Sequence, residues 1–125
     1  MSLSNEEKRQ QEALDHWINY SDKTQEIASR YYRDFAFFLM FFKKRIFAEG
    51  FEKYRDMSDR EVEAAVQAVK ERNEELRKPG PDGSYKIPMM DENNERDLIY
   101  MIKAFAELSA DDRTTIMSIR SFLDR

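Results

Sequence analysis

The sequence predicts an all-α fold: a single-domain helical bundle of four or five helices with a long central aromatic helix. Three observations lead there. Glycine and proline number three each in 125 residues, and all except Gly50 fall between Pro79 and Pro88, so the rest of the chain lacks strong helix breakers. Apolar residues on both sides of that stretch recur at helical spacing. Ser4, Ser58 and Ser109 each stand three positions before an acidic residue (Glu7, Glu61 and Asp112), the spacing at which two side chains cap a helix start reciprocally. A chain of this length can bury roughly two-thirds of its unfolded surface without covalent staples.

The first helix is expected over about 5–20, starting after Ser4, with Ala13, Leu14, Trp17 and Ile18 as its apolar stripe. Asp22 and Gln25 suggest a second cap and a break near Ser21, though a continuous first and second helix is also compatible with the pattern. The second helix is expected over 22–49 and to end at Gly50. The third, over 59–78, has a capping box at Ser58 and Glu61, a staple pair in Met57 and Val62, and a stop at Pro79. Its buried face reads Val62, Ala65, Val66, Val69 and Leu76. Residues 79–91 form the one long loop, with a turn at Asp82-Gly83. A fourth helix over 92–108 buries Leu98, Met101, Ile102 and Phe105. A fifth over 110–124 buries Ile116, Ile119, Phe122 and Leu123. The core is expected to hold Trp17, Phe35, Phe38, Leu39, Phe42, Val66, Val69, Ile102, Phe105, Ile119 and Leu123.

FAFFLMFF, residues 35–42, is eight apolar residues in a chain that is 37% charged. It is too short to cross a bilayer, which takes about 18–20 residues. A rotation of 100° per residue places Ile27, Tyr31, Tyr32, Phe35, Phe38, Leu39, Phe42 and Ile46 on one core arc. Phe37, Met40 and Phe41 fall on the other side, near Lys44. Either they are covered by the chain itself or they form the centre of an interface, with a second copy of the chain as the first partner to consider.

The net charge of −4 is spread along the chain, and residues 1–50 carry eight charges of each sign. No segment has the basic footprint of a strong phosphate-backbone binder. YYRD (31–34) and KKR (43–45) make a local basic-aromatic cluster, which keeps a nucleic-acid-associated regulator as one alternative. The charged start, NEEKRQQ, is no secretory leader, and with no cysteine in the chain a cytoplasmic location is expected.

Candidate chemistry is sparse. His16 is the only histidine, and no Gly-rich phosphate loop is present. Glu71 with Glu74, and Glu92 with Glu95, are acidic pairs at helical spacing. Two such pairs on facing helices could hold magnesium, similar to the all-α nucleotide pyrophosphatases, which makes a metal-dependent nucleotide hydrolase the enzymatic alternative. No assembled catalytic site and no cofactor are expected.

Residues 108–125, LSADDRTTIMSIRSFLDR, carry Leu-Ser, an acidic pair, and then Ile116, Ile119 and Leu123. This stretch resembles the C-terminal tail helix of phage-type helix-turn-helix repressors. It covers 18 of 125 residues, and no helix-turn-helix precedes it. The resemblance implies a small bacterial, phage or plasmid accessory protein and assigns no residue a role. The expected function is a non-enzymatic protein-interaction or regulatory module acting on a protein partner or as a homodimer. Its surface would comprise Phe37, Met40, Phe41 and Lys44, with Tyr85, Ile87, Met89 and Met90 on the loop as a second candidate.

Overall fold

The computed structural model of the chain describes residues 4–84 and 90–118. These form α1 (Asn5–Ile18), α2 (Asp22–Arg30), α3 (Phe35–Glu49), α4 (Glu52–Arg55), α5 (Asp59–Leu76), α6 (Glu92–Ala106) and α7 (Ala110–Met117). No strand occurs among the described residues, so the fold is all-α. The chain divides into two compact units, Met1–Asp56 with Tyr100–Arg125, and Met57–Ile99. No Gly/Pro-rich linker marks the division, since one boundary falls inside α6.

In the first unit, the start of α1 is capped by Ser4, whose Oγ accepts the Glu7 N–H at 3.1 Å. Helices α1 and α2 are separate. The second cap sits one residue earlier than the Asp22–Gln25 pair predicts: Ser21 Oγ accepts from Thr24 N, and Ser21 N donates to Thr24 Oγ1. Thr24 is buried, and its single hydroxyl proton is shared between Ile18 O at 3.0 Å and Ser21 O at 2.8 Å. The hydroxyl thus ties the end of α1 to the beginning of α2.

The helix predicted over 22–49 is divided at 31–34. The N–H groups of Tyr31, Tyr32 and Asp34 bond to the carbonyls of Ala28, Ser29 and Tyr31, tight three-residue steps that end one helix before the next begins. No glycine or proline causes the break. It accompanies aromatic packing: Tyr31 stacks on Phe38 at 4.7 Å, and Phe35 lies 6.4 Å from Trp17.

Trp17 centres the apolar interior of this unit. Its ring is 4.8 Å from Phe42 and 5.8 Å from Phe105, and its indole N–H donates to Met101 O at 3.0 Å, so the polar edge is satisfied where water cannot reach. Burial of each such side chain contributes about 1.5–3 kcal/mol. Helix α1 packs on α2 and α7.

Helix α3 ends at Gly50, whose N–H donates to Ile46 O at 2.7 Å. With φ 77° and ψ 152°, Gly50 lies in a region essentially closed to residues with a Cβ. Tyr54 on α4 is buried and donates to Glu49 Oε2 at 2.6 Å while accepting from Arg45 Nε at 2.8 Å. That three-residue network holds α4 against the end of α3.

In the second unit, α5 opens on the complete Ser58–Glu61 capping box and buries Val62, Val66 and Val69. Ala65 and Leu76 are only half-buried. Asn73, which an apolar pattern passes over, is buried and donates Nδ2–H to Met90 O at 2.8 Å. Residues 79–84 close a compact turn in which Asp82 Oδ1 accepts from Ser84 N and Oγ. Helix α6 is capped by Asp91, whose Oδ1 accepts from Asn94 N at 2.7 Å. Of its predicted core residues, Leu98 is buried in this unit, and Met101, Ile102 and Phe105, beyond the boundary, are buried in the first. Phe35 of the predicted core is half-buried, and Ile119, Phe122 and Leu123 lie outside the described residues.

Candidate interaction surface

Helix α3 buries Phe38, Leu39, Phe42 and Ile46. Its opposite face carries Phe37 (63% exposed), Met40 (44%) and Phe47 (78%). With Lys44, which is also exposed, these residues stand at steps of three, four and three. That spacing keeps them within one narrow arc of the helix over about 15 Å. Three large apolar side chains around one lysine are more than scattered surface residues and mark an apolar stripe.

Phe41 departs from the expected set. It is half-buried beside the stripe, because its position turns it toward the core arc. Phe47 joins the set. The same rotation that separated Phe37 from the core also separates Phe47 from Ile46, so the signal for it was present in the sequence. Tyr32 is 86% exposed, whereas a continuous helix would have placed it on the core arc. The 31–34 break changes the phase and turns it outward.

The N-terminal end of the stripe opens into a groove of about 930 Å³ lined by Leu14, Ile18, Ala28, Tyr32, Phe35 and Phe37, with Gln11, Asn19 and Gln25 among its polar lining. This lies within the size range of ligand clefts, roughly 300–1,000 Å³.

Of the second candidate surface, Tyr85, Ile87 and Met89 lie outside the described residues. Met90 is half-buried, and its carbonyl is held by Asn73.

The alternative sites fare differently. Glu71 and Glu74 are exposed, Glu92 is half-buried and Glu95 is buried. Among the described residues, no three histidine, cysteine, aspartate or glutamate side chains are grouped so as to hold a metal ion. The four glutamates are therefore not assembled into a magnesium site. The KKR run is also dispersed. Lys43 donates to Met117 O at 3.1 Å, and Arg45 is engaged by Glu49 and Tyr54, which leaves Lys44 as its outward member. His16 Nδ1 lies 2.8 Å from Asp112 Oδ2 and joins α1 to α7 at the surface.

The network at the end of α3 shifts the titration of its members. Burial would raise the Glu49 carboxyl, but hydrogen bonds from Lys53 and Tyr54 and the charge of Arg45 outweigh it and hold the group below its ordinary value. Burial and the bond to Glu49 push the Tyr54 phenol well above its ordinary value. At neutral pH the pair is an anionic acceptor and a neutral donor.

No family model matches the chain, and neither the curated proteins nor the solved structures contain a match. Among the described residues, no helix is long and apolar enough to cross a membrane.

Proposed function

We propose that the chain is a small protein-interaction module that self-associates through the outer face of α3, with a regulatory or accessory role. The observation that carries this reading is the spacing of Phe37, Met40, Lys44 and Phe47. Steps of three, four and three read the same in both directions, so the stripe is complementary to an antiparallel copy of itself. A two-fold axis near the helix midpoint then sets Phe37 against Phe47 of the second copy, and Met40 against Lys44. This is the arrangement an isologous dimer requires. The aliphatic stem of Lys44 can lie on Met40 with its ammonium in water, whereas a parallel pairing would stack Lys44 on Lys44. The most exposed ring, Phe47, is thereby delivered to the Phe37 end, where the apolar groove opens.

Area sets the expected strength. At about 200 Å² for a fully covered aromatic side chain, the exposed fractions of Tyr32, Phe37 and Phe47 amount to roughly 450 Å² per protomer. A standard interface buries about 800 Å² per partner. The dimer is therefore expected to be reversible.

Size-exclusion chromatography with light scattering, run across a tenfold range of concentration, tests this. The mass should move between the 15.0 kDa of one chain and twice that value. Phe37→Glu with Phe47→Glu should hold it at one chain with unchanged helicity. A mass of one chain at every concentration overturns the proposal. Because the chain has no cysteine, orientation can be read from a mixture of Phe37→Cys and Phe47→Cys proteins. Antiparallel pairing cross-links the two variants to each other rather than each to itself.

A further inference from the structure

A second concavity in the first unit, of about 300 Å³, is lined by Tyr20, Ser21, Lys23, Thr24, Arg55, Tyr100, Lys103, Ala104 and Glu107. Neither the stripe on α3 nor the groove at its end uses it. Its charge runs against that of the molecule: three cations and one carboxylate line it, in a chain whose net charge is −4. Positive charges gathered in a concave site focus the local field and draw in anions.

The cations come from three separate elements, since Lys23 is on α2, Arg55 on α4 and Lys103 on α6. The Lys23 ammonium sits 3.3 Å from the centre of the Tyr100 ring, a cation–π contact that holds the lysine at the pocket wall. Arg55 Nε lies 3.7 Å from Asp56 Oδ1, longer than the roughly 2.7–2.9 Å of a charge-assisted hydrogen bond. Its planar fork therefore retains donors for a tetrahedral oxyanion. Tyr20, 45% exposed, supplies a flat aromatic wall beside these charges.

We infer that this pocket binds a small phosphate monoester bearing a flat aromatic group, the chemistry of a nucleoside monophosphate. The phosphate lies among Lys23, Arg55 and Lys103, and the base lies against the Tyr20 ring. The volume sits at the small end of the range for ligand pockets, roughly 300–1,000 Å³, which favours a mononucleotide over a longer polymer. Base-on-aromatic stacking tolerates any base, so selectivity resides in the phosphate.

The test is isothermal titration calorimetry of the full chain at low salt with adenosine monophosphate, adenosine and inorganic phosphate. The monophosphate should bind at least about tenfold more tightly than either fragment, and Arg55→Gln should weaken it by about tenfold or more, the loss of a hydrogen bond to a charged group. Lys103→Met should act in the same direction, with circular dichroism confirming that both variants are folded. Should a variant fail to fold, amide chemical shifts in the unaltered protein decide, since titration must move Lys23, Arg55 and Lys103. Absence of binding at millimolar monophosphate overturns the inference. Equal affinity for inorganic phosphate overturns the nucleotide assignment, and affinity unaffected by both substitutions overturns the placement.

Discussion

On α3, Phe38 and Phe42 are buried while Phe37 and Phe47 stand in solvent, 63% and 78% exposed. The two faces belong to one helix and use the same residue type, so hydrophobicity does not separate them. What separates them is supply. The inner face meets Trp17 and Phe105, with ring centres 4.8 Å and 5.1 Å from Phe42, whereas among the described residues nothing covers the outer face to a like degree. An apolar residue is stabilising when something fills the space against it, and it is available for a partner when nothing does.

The comparison can be broken most forcefully at Phe42. Phe42→Ala removes the ring that contacts both Trp17 and Phe105, and it should cost about 3–5 kcal/mol in a denaturant titration. A smaller loss is expected at the junction of α3 and α4. Tyr54→Phe deletes the hydroxyl shared by Glu49 and Arg45 and should cost about 1–2 kcal/mol. Phe47→Ser should change monomer stability by less than about 0.5 kcal/mol while weakening association. A loss at Phe47 as large as that at Phe42 would mean that the two faces are not energetically distinct.

The finest test is pH. Tyr54 titrates above its ordinary value near 10 when folded. Its contribution is complete below that value and declines as pH rises through the folded value, because only the unfolded state gives up the proton readily. Glu49 is held below its ordinary 4.5, so its contribution is present above that value and is lost as pH falls through the folded one. Thermal unfolding of the native chain should show both declines. Tyr54→Phe should abolish the alkaline one and reduce the acid one. An alkaline limb of unchanged size in that variant would remove Tyr54 from the account.

Much of the architecture was legible because it rests on local chemistry. The serine caps at 4, 58 and 109 are where the spacing predicts them, since a hydroxyl can reach a backbone N–H three residues on in any context. The end of α3 at Gly50 was legible for the same reason, as was the buried set Leu98, Met101, Ile102 and Phe105, which needs only a helical period. Phe37 and Met40 were separable from the core by rotation alone, and Phe47 was available to the same argument.

Long-range packing decided the rest. The break at 31–34 carries no breaker residue; it goes with Tyr31 stacking on Phe38 and Phe35 lying near Trp17, and no local rule foresees the outward turn of Tyr32. Asn73 reads as a polar interruption of an apolar face until Met90 O is found beside it. Lys23, Arg55 and Lys103 are dozens of residues apart and became one basic pocket only through tertiary folding. The sequence by itself thus determined most of the helical segments, where most of them start and which residues they offer, but neither the short α4 (Glu52–Arg55) nor the division of 22–49 into α2 and α3. Tertiary structure alone decided which offers were taken up, because burial and electrostatic focusing depend on groups that local sequence does not bring together.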